Sequence, residues 1–113
     1  MDDCLFCKIC AGEIPSTVLY EDDEILAFRD IDPQAPLHFL VVPKNHVQSA
    51  AQLTMQDGAL LGKIFATIAR LCEEQGITNG YRVVTNVGQQ GGQSVPHLHF
   101  HVLAGRQLAW PPG

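Results

Sequence analysis

Residues Gly91 to Arg106 read GGQSVPHLHFHVLAGR, and this stretch decides the reading of the chain. Histidine occupies every second position, at His97, His99 and His101, with apolar Leu98, Phe100 and Val102 interleaved. Side chains of a strand alternate between its two faces. The spacing therefore predicts a strand over HLHFHVLAG, with three imidazoles on one face and Leu98, Phe100 and Val102 turned to the core. Clustered imidazoles add nothing to a core, and charging neighbours together costs repulsion. Histidine does serve as base, nucleophile and metal ligand, so the pattern points to chemistry. Two kinds stay open on these residues: a metal held by three ring nitrogens, or attack by one imidazole assisted by its neighbours.

The loop ahead of the histidines bears on that choice. Gly91 and Gly92 let the backbone approach a ligand and turn N–H groups toward it, and Ser94 adds a hydroxyl. Together they read as an anion cradle, which favours phosphoryl or nucleotidyl chemistry over a bare metal site.

Working outward, FCKICAGEIP predicts a short N-terminal helical turn that ends at Gly12 and Pro15. STVLYED and EILAFRD predict two strands joined at Glu21–Asp22–Asp23. Pro33 and Pro36 make DPQAP a loop, and LHFLVVP predicts a further strand. The long helix is TMQDGALLGKIFATIARLCEEQGI, in which Leu60, Leu61, Ile64, Phe65, Ile68, Leu71 and Cys72 repeat with helical period. Thr54 is its expected N-cap and Gly76 its stop. YRVVTN is another strand. Most connections are too short for parallel crossovers, so the expected fold class is α+β: an antiparallel meander with the helix packed on it.

With 113 residues, 46% of them hydrophobic, the chain suits one compact domain over 1–113. A net charge of −5 argues against nucleic acid or an anionic membrane as partner, while a small anion remains admissible. No apolar run reaches membrane-spanning length and the start does not look like a signal peptide, so the expected location is cytoplasmic. In that compartment Cys4, Cys7, Cys10 and Cys72 read as thiols or metal ligands.

Beyond the triad, EDDEILAFRDIDPQAPLHFLVVPKNH, GGQSV and WPPG complete a pattern that resembles the histidine-triad (HIT) family over nearly the whole chain, in its Hint branch of nucleotide-binding proteins. The resemblance implies a HIT-like fold: a bent antiparallel sheet of about five strands with one long helix and a short N-terminal helix, paired as a homodimer. It implies hydrolysis of the P–N bond of purine nucleoside 5′-phosphoramidates through a nucleotidyl-histidine intermediate, without an organic cofactor. The alternative is a nucleotide-binding regulatory or interaction module with vestigial catalysis.

Carried over by motif, His99 is the nucleophile, with its other ring nitrogen held by a backbone carbonyl. His97 and His101 flank the reacting phosphate, and His38 supports the triad from a neighbouring strand. Ser94 and the backbone of Gly92 and Gln93 match phosphate contacts, Ser94 also helping to protonate the departing amine. Asn86 matches a further phosphate-side position. Asp30 matches the carboxylate that receives both ribose hydroxyls, two acceptor oxygens facing two donors. Phe6, Ile9, Phe28 and Ile31 match the apolar walls around the base, and Trp110 is expected near the other subunit's site. The resemblance further implies a structural zinc site of Cys4, Cys7, His46 and His97. Pro96 stands where many relatives carry an aromatic residue, and Ala104 where many carry glycine; both bear on leaving-group preference. His101 is intact where transferase relatives carry glutamine, which favours hydrolysis over transfer.

Overall fold

The computed structural model describes residues 3–113. In chain order the elements are α1 (Leu5–Cys10), β1 (Val18–Glu21), β2 (Ile25–Arg29), β3 (Leu37–Pro43), α2 (Gly58–Glu74), β4 (Tyr81–Val84) and β5 (Phe100–Ala104). Short 3-10 turns at Ala50–Gln52 and Met55–Asp57 lead into α2. The five strands form one antiparallel sheet in the order β1-β2-β3-β5-β4. The α+β expectation of an antiparallel sheet with one long and one short helix holds. The simple meander does not: β5 returns between β3 and β4 and pairs with both.

The order follows from what β3 needs. Every residue of LHFLVVP is buried, so this strand takes the centre of the sheet and is covered on both faces. Leu37, Phe39 and Val41 face α2, where they meet Ile64, Ile68 and Leu71 together with Phe100 and Val102. Leu40 and Val42 face the other way and join Leu26, Phe28, Cys4 and Phe6 under α1. The chain leaves β3, crosses through α2, and lays β4 at the edge. The slot between receives β5, whose Phe100 and Val102 complete the α2-side core.

Local signals set the ends of α2. Gln56 N–H donates to Thr54 Oγ1 (3.2 Å) and Thr54 N–H to Asp57 Oδ2 (2.8 Å). Thr54 thus caps a tight 3-10 turn, and the α-helix proper begins only at Gly58. At the other end Gly76 takes φ +77°. Ile77 N–H reaches the Cys72 carbonyl (2.9 Å) and Gly76 N–H the Glu73 carbonyl (3.0 Å), a Schellman stop. Lys63 on the exposed side pairs with Asp22 (2.7 Å) and Glu24 (2.8 Å), tying the helix to the β1–β2 turn.

The last strand is shorter than the alternation predicts. His97 N–H turns back on the Val95 carbonyl across Pro96 (2.8 Å), and Leu98 N–H donates to the Val47 carbonyl (2.6 Å). Pro96 has no N–H and forces a turn. Ladder geometry therefore starts at Phe100, and of the three histidines only His101 lies in β5.

Candidate functional site

The histidines fall into two groups by the partners of their ring nitrogens. His97 is fully buried. Its Nε2–H donates to the Pro43 carbonyl (2.8 Å), which leaves Nδ1 as a lone pair. That nitrogen stands 3.2 Å from Cys4 Sγ and 3.5 Å from Cys7 Sγ. His46 Nδ1 lies 3.3 Å from Cys7 Sγ. The four ligand atoms of Cys4, Cys7, His46 and His97 all fall within 4.8 Å of one another, a group able to hold a metal ion. Helix α1 builds the thiol pair: Cys4 is its N-cap and accepts the Cys7 N–H on Sγ (3.2 Å). Burial pushes the Cys7 thiol up to about 11, with the neighbouring Cys4 adding to the shift. Both ring nitrogens of His97 are committed here, so it does not flank a phosphate beside His101. The role expected of it at the phosphate is corrected by these partners: the Pro43 carbonyl takes one nitrogen and the cysteine sulfurs face the other.

His99 has a different set of partners. Its Nδ1–H donates to the His97 carbonyl (2.7 Å), which fixes the tautomer and leaves Nε2 as the lone-pair nitrogen. A backbone carbonyl is the acceptor type expected for this residue. Phe6 stands edge-on between the two groups, its ring centroid 6.0 Å from His97 and 5.0 Å from His99. Thr85, which the sequence reading passed over, donates its hydroxyl to the His99 carbonyl (2.8 Å). Its one sequence signal is position, a hydroxyl residue just past β4 beside Asn86.

A hydrogen-bonded series continues from His101. Gln34 N–H donates to His38 Nδ1 (3.0 Å). The proton of neutral His38 therefore sits on Nε2, 3.0 Å from His101 Nδ1 and 3.4 Å from Asp30 Oδ2. His101 Nδ1 accepts, and its own proton is left on Nε2. Asp30 Oδ1 is taken by the Asp32 N–H (2.8 Å), and Oδ2 stands 3.9 Å from His101 Nδ1. Asp30, His38 and His101 lie close enough to resemble a metal group. The proton that Gln34 forces onto His38 Nε2 makes them a hydrogen-bonded series instead. Burial, reinforced by His99 and His38, holds His101 down to about 4, against the pull of Asp30. Burial also lowers His38, against Asp30 and Asp32. Both rings are neutral at pH 7.

The loop carries a second correction. Gly92 N–H donates to the Gln89 carbonyl (3.0 Å) and Gln93 N–H to the Gly88 carbonyl (3.1 Å). The Gln93 side chain accepts from Gly88 N–H (2.9 Å) and donates to the Gln48 (2.7 Å) and Val95 (3.0 Å) carbonyls. A Cβ at Gly91 would collide with the Val87 carbonyl oxygen. The backbone N–H groups of Gly92 and Gln93 thus hold the loop together and are not turned to a ligand. The N–H groups of Ser94 and Val95 have no acceptor among the described residues, and Ser94 is exposed. Asn86 is half-buried. Phe6 and Phe28 are buried with ring centroids 5.6 Å apart, and Ile9 packs against them. Ile31 is 100% exposed and joins no wall within this chain. Trp110 is exposed in the tail. The larger cavity, about 560 Å³, lies between Gly76–Arg82 and Gly105–Leu108, away from every histidine. A smaller one of about 210 Å³ adjoins Ile9 and Cys10. No histidine lines either of these two cavities.

An antiparallel sheet carrying an imidazole with one nitrogen pinned and the other free defines a class of small proteins whose chemistry is done by an oriented histidine. The chain belongs to the HIT domain family, whose pattern matches residues 11–108. It is 50% identical over 112 residues to an uncharacterised HIT-like protein of Synechococcus elongatus, spanning 99% of this chain and 98% of that one. Among solved structures it is similar to a HIT family hydrolase from Legionella pneumophila, with 51% identity and a TM-score of 0.96 over 98% of this chain and 100% of that one. A HIT family hydrolase from Clostridium thermocellum matches with 39% identity and a TM-score of 0.93 over 96% of each chain.

Proposed function

We propose that the protein is a hydrolase of the Hint branch, cleaving the P–N bond of purine nucleoside 5′-phosphoramidates. The observation that carries the reading is the 2.7 Å bond from His99 Nδ1–H to the His97 carbonyl, which leaves Nε2 as a nucleophile of fixed direction. Nε2 attacks phosphorus, the P–N bond breaks, and the amine departs with a proton from the Ser94 hydroxyl. The His97 carbonyl then faces a cationic nucleotidyl-imidazole, whose Nδ1–H it holds more strongly than that of the neutral ring. Water cleaves the intermediate, its oxygen bonding phosphorus and its proton returning to Ser94, which restores neutral His99 and releases a nucleoside monophosphate. His101 Nε2–H and the N–H groups of Ser94 and Val95 receive the phosphate oxygens. Phe28 and Ile9 supply apolar wall for the base, and Asp30 takes the ribose hydroxyls.

The Cys4, Cys7, His46 and His97 group has the chemistry of a structural zinc site. At tetrahedral angles and ordinary zinc bond lengths a thiolate and an imidazole donor stand about 3.5 Å apart, and three sulfur–nitrogen pairs here are separated by 3.2, 3.3 and 3.5 Å. When bound, the ion would fasten α1 to the His97 turn and take no part in the reaction. A cytoplasmic location fits thiols kept reduced. A homodimer is supported by the open edge of β4 and by Phe65 and Tyr81, exposed at 48% and 42%. The partner would supply wall near Ile31, with Trp110 reaching across.

Turnover of adenosine 5′-phosphoramidate, before and after His99→Ala, tests the proposal. The variant should lose roughly 10⁴-fold or more in kcat while still binding adenosine monophosphate. Equal turnover by both proteins removes His99 from the mechanism. Binding without turnover in the wild type leaves a nucleotide-binding module instead.

A further inference from the structure

Arg106 lies just past β5, exposed, and outside every contact assigned above. Its Nε–H donates to the Gln34 carbonyl (3.1 Å) and its Nη1 to the Gln107 carbonyl (3.1 Å). The residue before it, Gly105, sits at φ +94° with its backbone so close to Pro36 that a Cβ there would stand 2.9 Å from the Pro36 Cβ. Gly105 and Arg106 therefore clasp the 33–36 loop from outside. Within the loop, Pro33 and Pro36 fix the backbone on either side of Gln34, and the Gln34 side chain binds only its own loop, donating to the Asp32 carbonyl (3.0 Å). Among the described residues, Arg106 is the one hydrogen-bonding tether that reaches Gln34 from a distant part of the chain.

Gln34 matters because its N–H decides which nitrogen of His38 carries the proton. His38 in turn decides the same question for His101. The series runs Arg106 to the Gln34 carbonyl, Gln34 N–H to His38 Nδ1, His38 Nε2–H to His101 Nδ1, and His101 Nε2–H to whatever lies in front of it. A flipped His101 tautomer would turn a lone pair toward an anionic oxygen, repelling what it should hold.

We propose that Arg106 is a positioning residue: by holding the Gln34 residue it locks the tautomers of His38 and His101, so that His101 presents a donor to the substrate. The proposal rests on the phosphoramidase reading only for what that donor is used on; the tautomer lock is a property of the free protein. Losing the Gln34 N–H would also free His38 Nδ1 to accept a proton, because a donor aimed at a lone pair disfavours protonation there.

The test is long-range ¹H–¹⁵N NMR of the imidazoles in the unliganded full chain, wild type against Arg106→Ala and Arg106→Lys, with melting curves to confirm folding. Wild type should show Nε2–H tautomers at His38 and His101. Arg106→Ala should show mixed tautomers and a His38 that titrates at higher pH, and Arg106→Lys, which keeps a donor, should fall between them. Turnover by Arg106→Ala should drop about tenfold, the low end for outer supports of working histidines. Its acid limb should move to higher pH. A guanidinium acting directly on substrate would lower turnover yet leave the free-protein tautomers alone, and that result overturns the proposal. So do tautomers in Arg106→Ala identical to wild type. If tautomers shift but the wild type cleaves no phosphoramidate, the functional reading fails and the lock stands.

Discussion

The two imidazole groups lie side by side and follow opposite rules. Around Cys4, Cys7, His46 and His97, two sulfurs and two ring nitrogens gather within 4.8 Å of one another, an arrangement suited to a cation. Around His38, His101 and Asp30, protons and lone pairs alternate, so each group satisfies the next. Histidine by itself does not separate them, since each group holds two. What separates them is the partner of the second ring nitrogen: the Pro43 carbonyl sets His97 as a ligand, and the Gln34 N–H sets His38 as a donor. His97 belongs to the first group through its ring and serves His99 through its carbonyl. It is the joint between the group suited to a metal and the histidine proposed as nucleophile.

The largest effect that can break this division comes from the thiols. Cys4→Ser in the metal-loaded protein should remove several kcal/mol of folding free energy, given the strength of structural metal sites. The melting temperature should fall by roughly 10 °C or more. Turnover per folded molecule should change by less than about tenfold, because no reacting atom is touched. A variant with unchanged melting but activity as low as His99→Ala would place the thiols in the chemistry and dissolve the distinction.

A smaller effect sharpens the other side. His101, with its folded value held to about 4 by burial, and His38, also lowered by burial, stay neutral in the fold. In the unfolded chain both titrate near 6.5. A depressed histidine contributes stability that is complete above the unfolded value and is lost as pH falls through the folded one. Urea midpoints should therefore drop between about pH 6.5 and 4, and the drop should be shallower in His101→Gln, which removes one of the two groups. Identical slopes in both proteins would mean that His101 is not held neutral.

Much of the fold is legible in the sequence because its signals are local. The limits of β3 coincide with LHFLVVP, and Gly76 stops α2 where a left-handed residue is needed. Leu98, Phe100 and Val102 reach the core as alternation requires. The place of β5 between β3 and β4 is not local, and connection length alone cannot reveal it. Alternation does not foretell that the ladder begins only at Phe100, because Pro96 has no N–H to give and His97 N–H turns back on the Val95 carbonyl. Gly92 and Gln93 look like a phosphate cradle by composition, yet an N–H can serve one acceptor well, and here the loop's own carbonyls take both. Thr85 was beyond reach because its meaning lies in a partner 14 residues away.

Thr85 offers the finest probe of the joint. The His99 residue is held at two points, by its ring on the His97 carbonyl and by its own carbonyl on the Thr85 hydroxyl. Thr85→Val keeps the shape and deletes the second hold, at a cost of about 1 kcal/mol for a lost half-buried hydrogen bond. The ring keeps its own anchor, so the tautomer should survive while the direction of Nε2 loosens. That predicts a fall of a few-fold in kcat with little change in KM, since near-attack geometry is lost and ground-state binding is not. Thr85→Ser should recover most of the rate. A Thr85→Val enzyme with wild-type kcat would mean that the His97 carbonyl alone orients the nucleophile, and that the joint needs no support from β4.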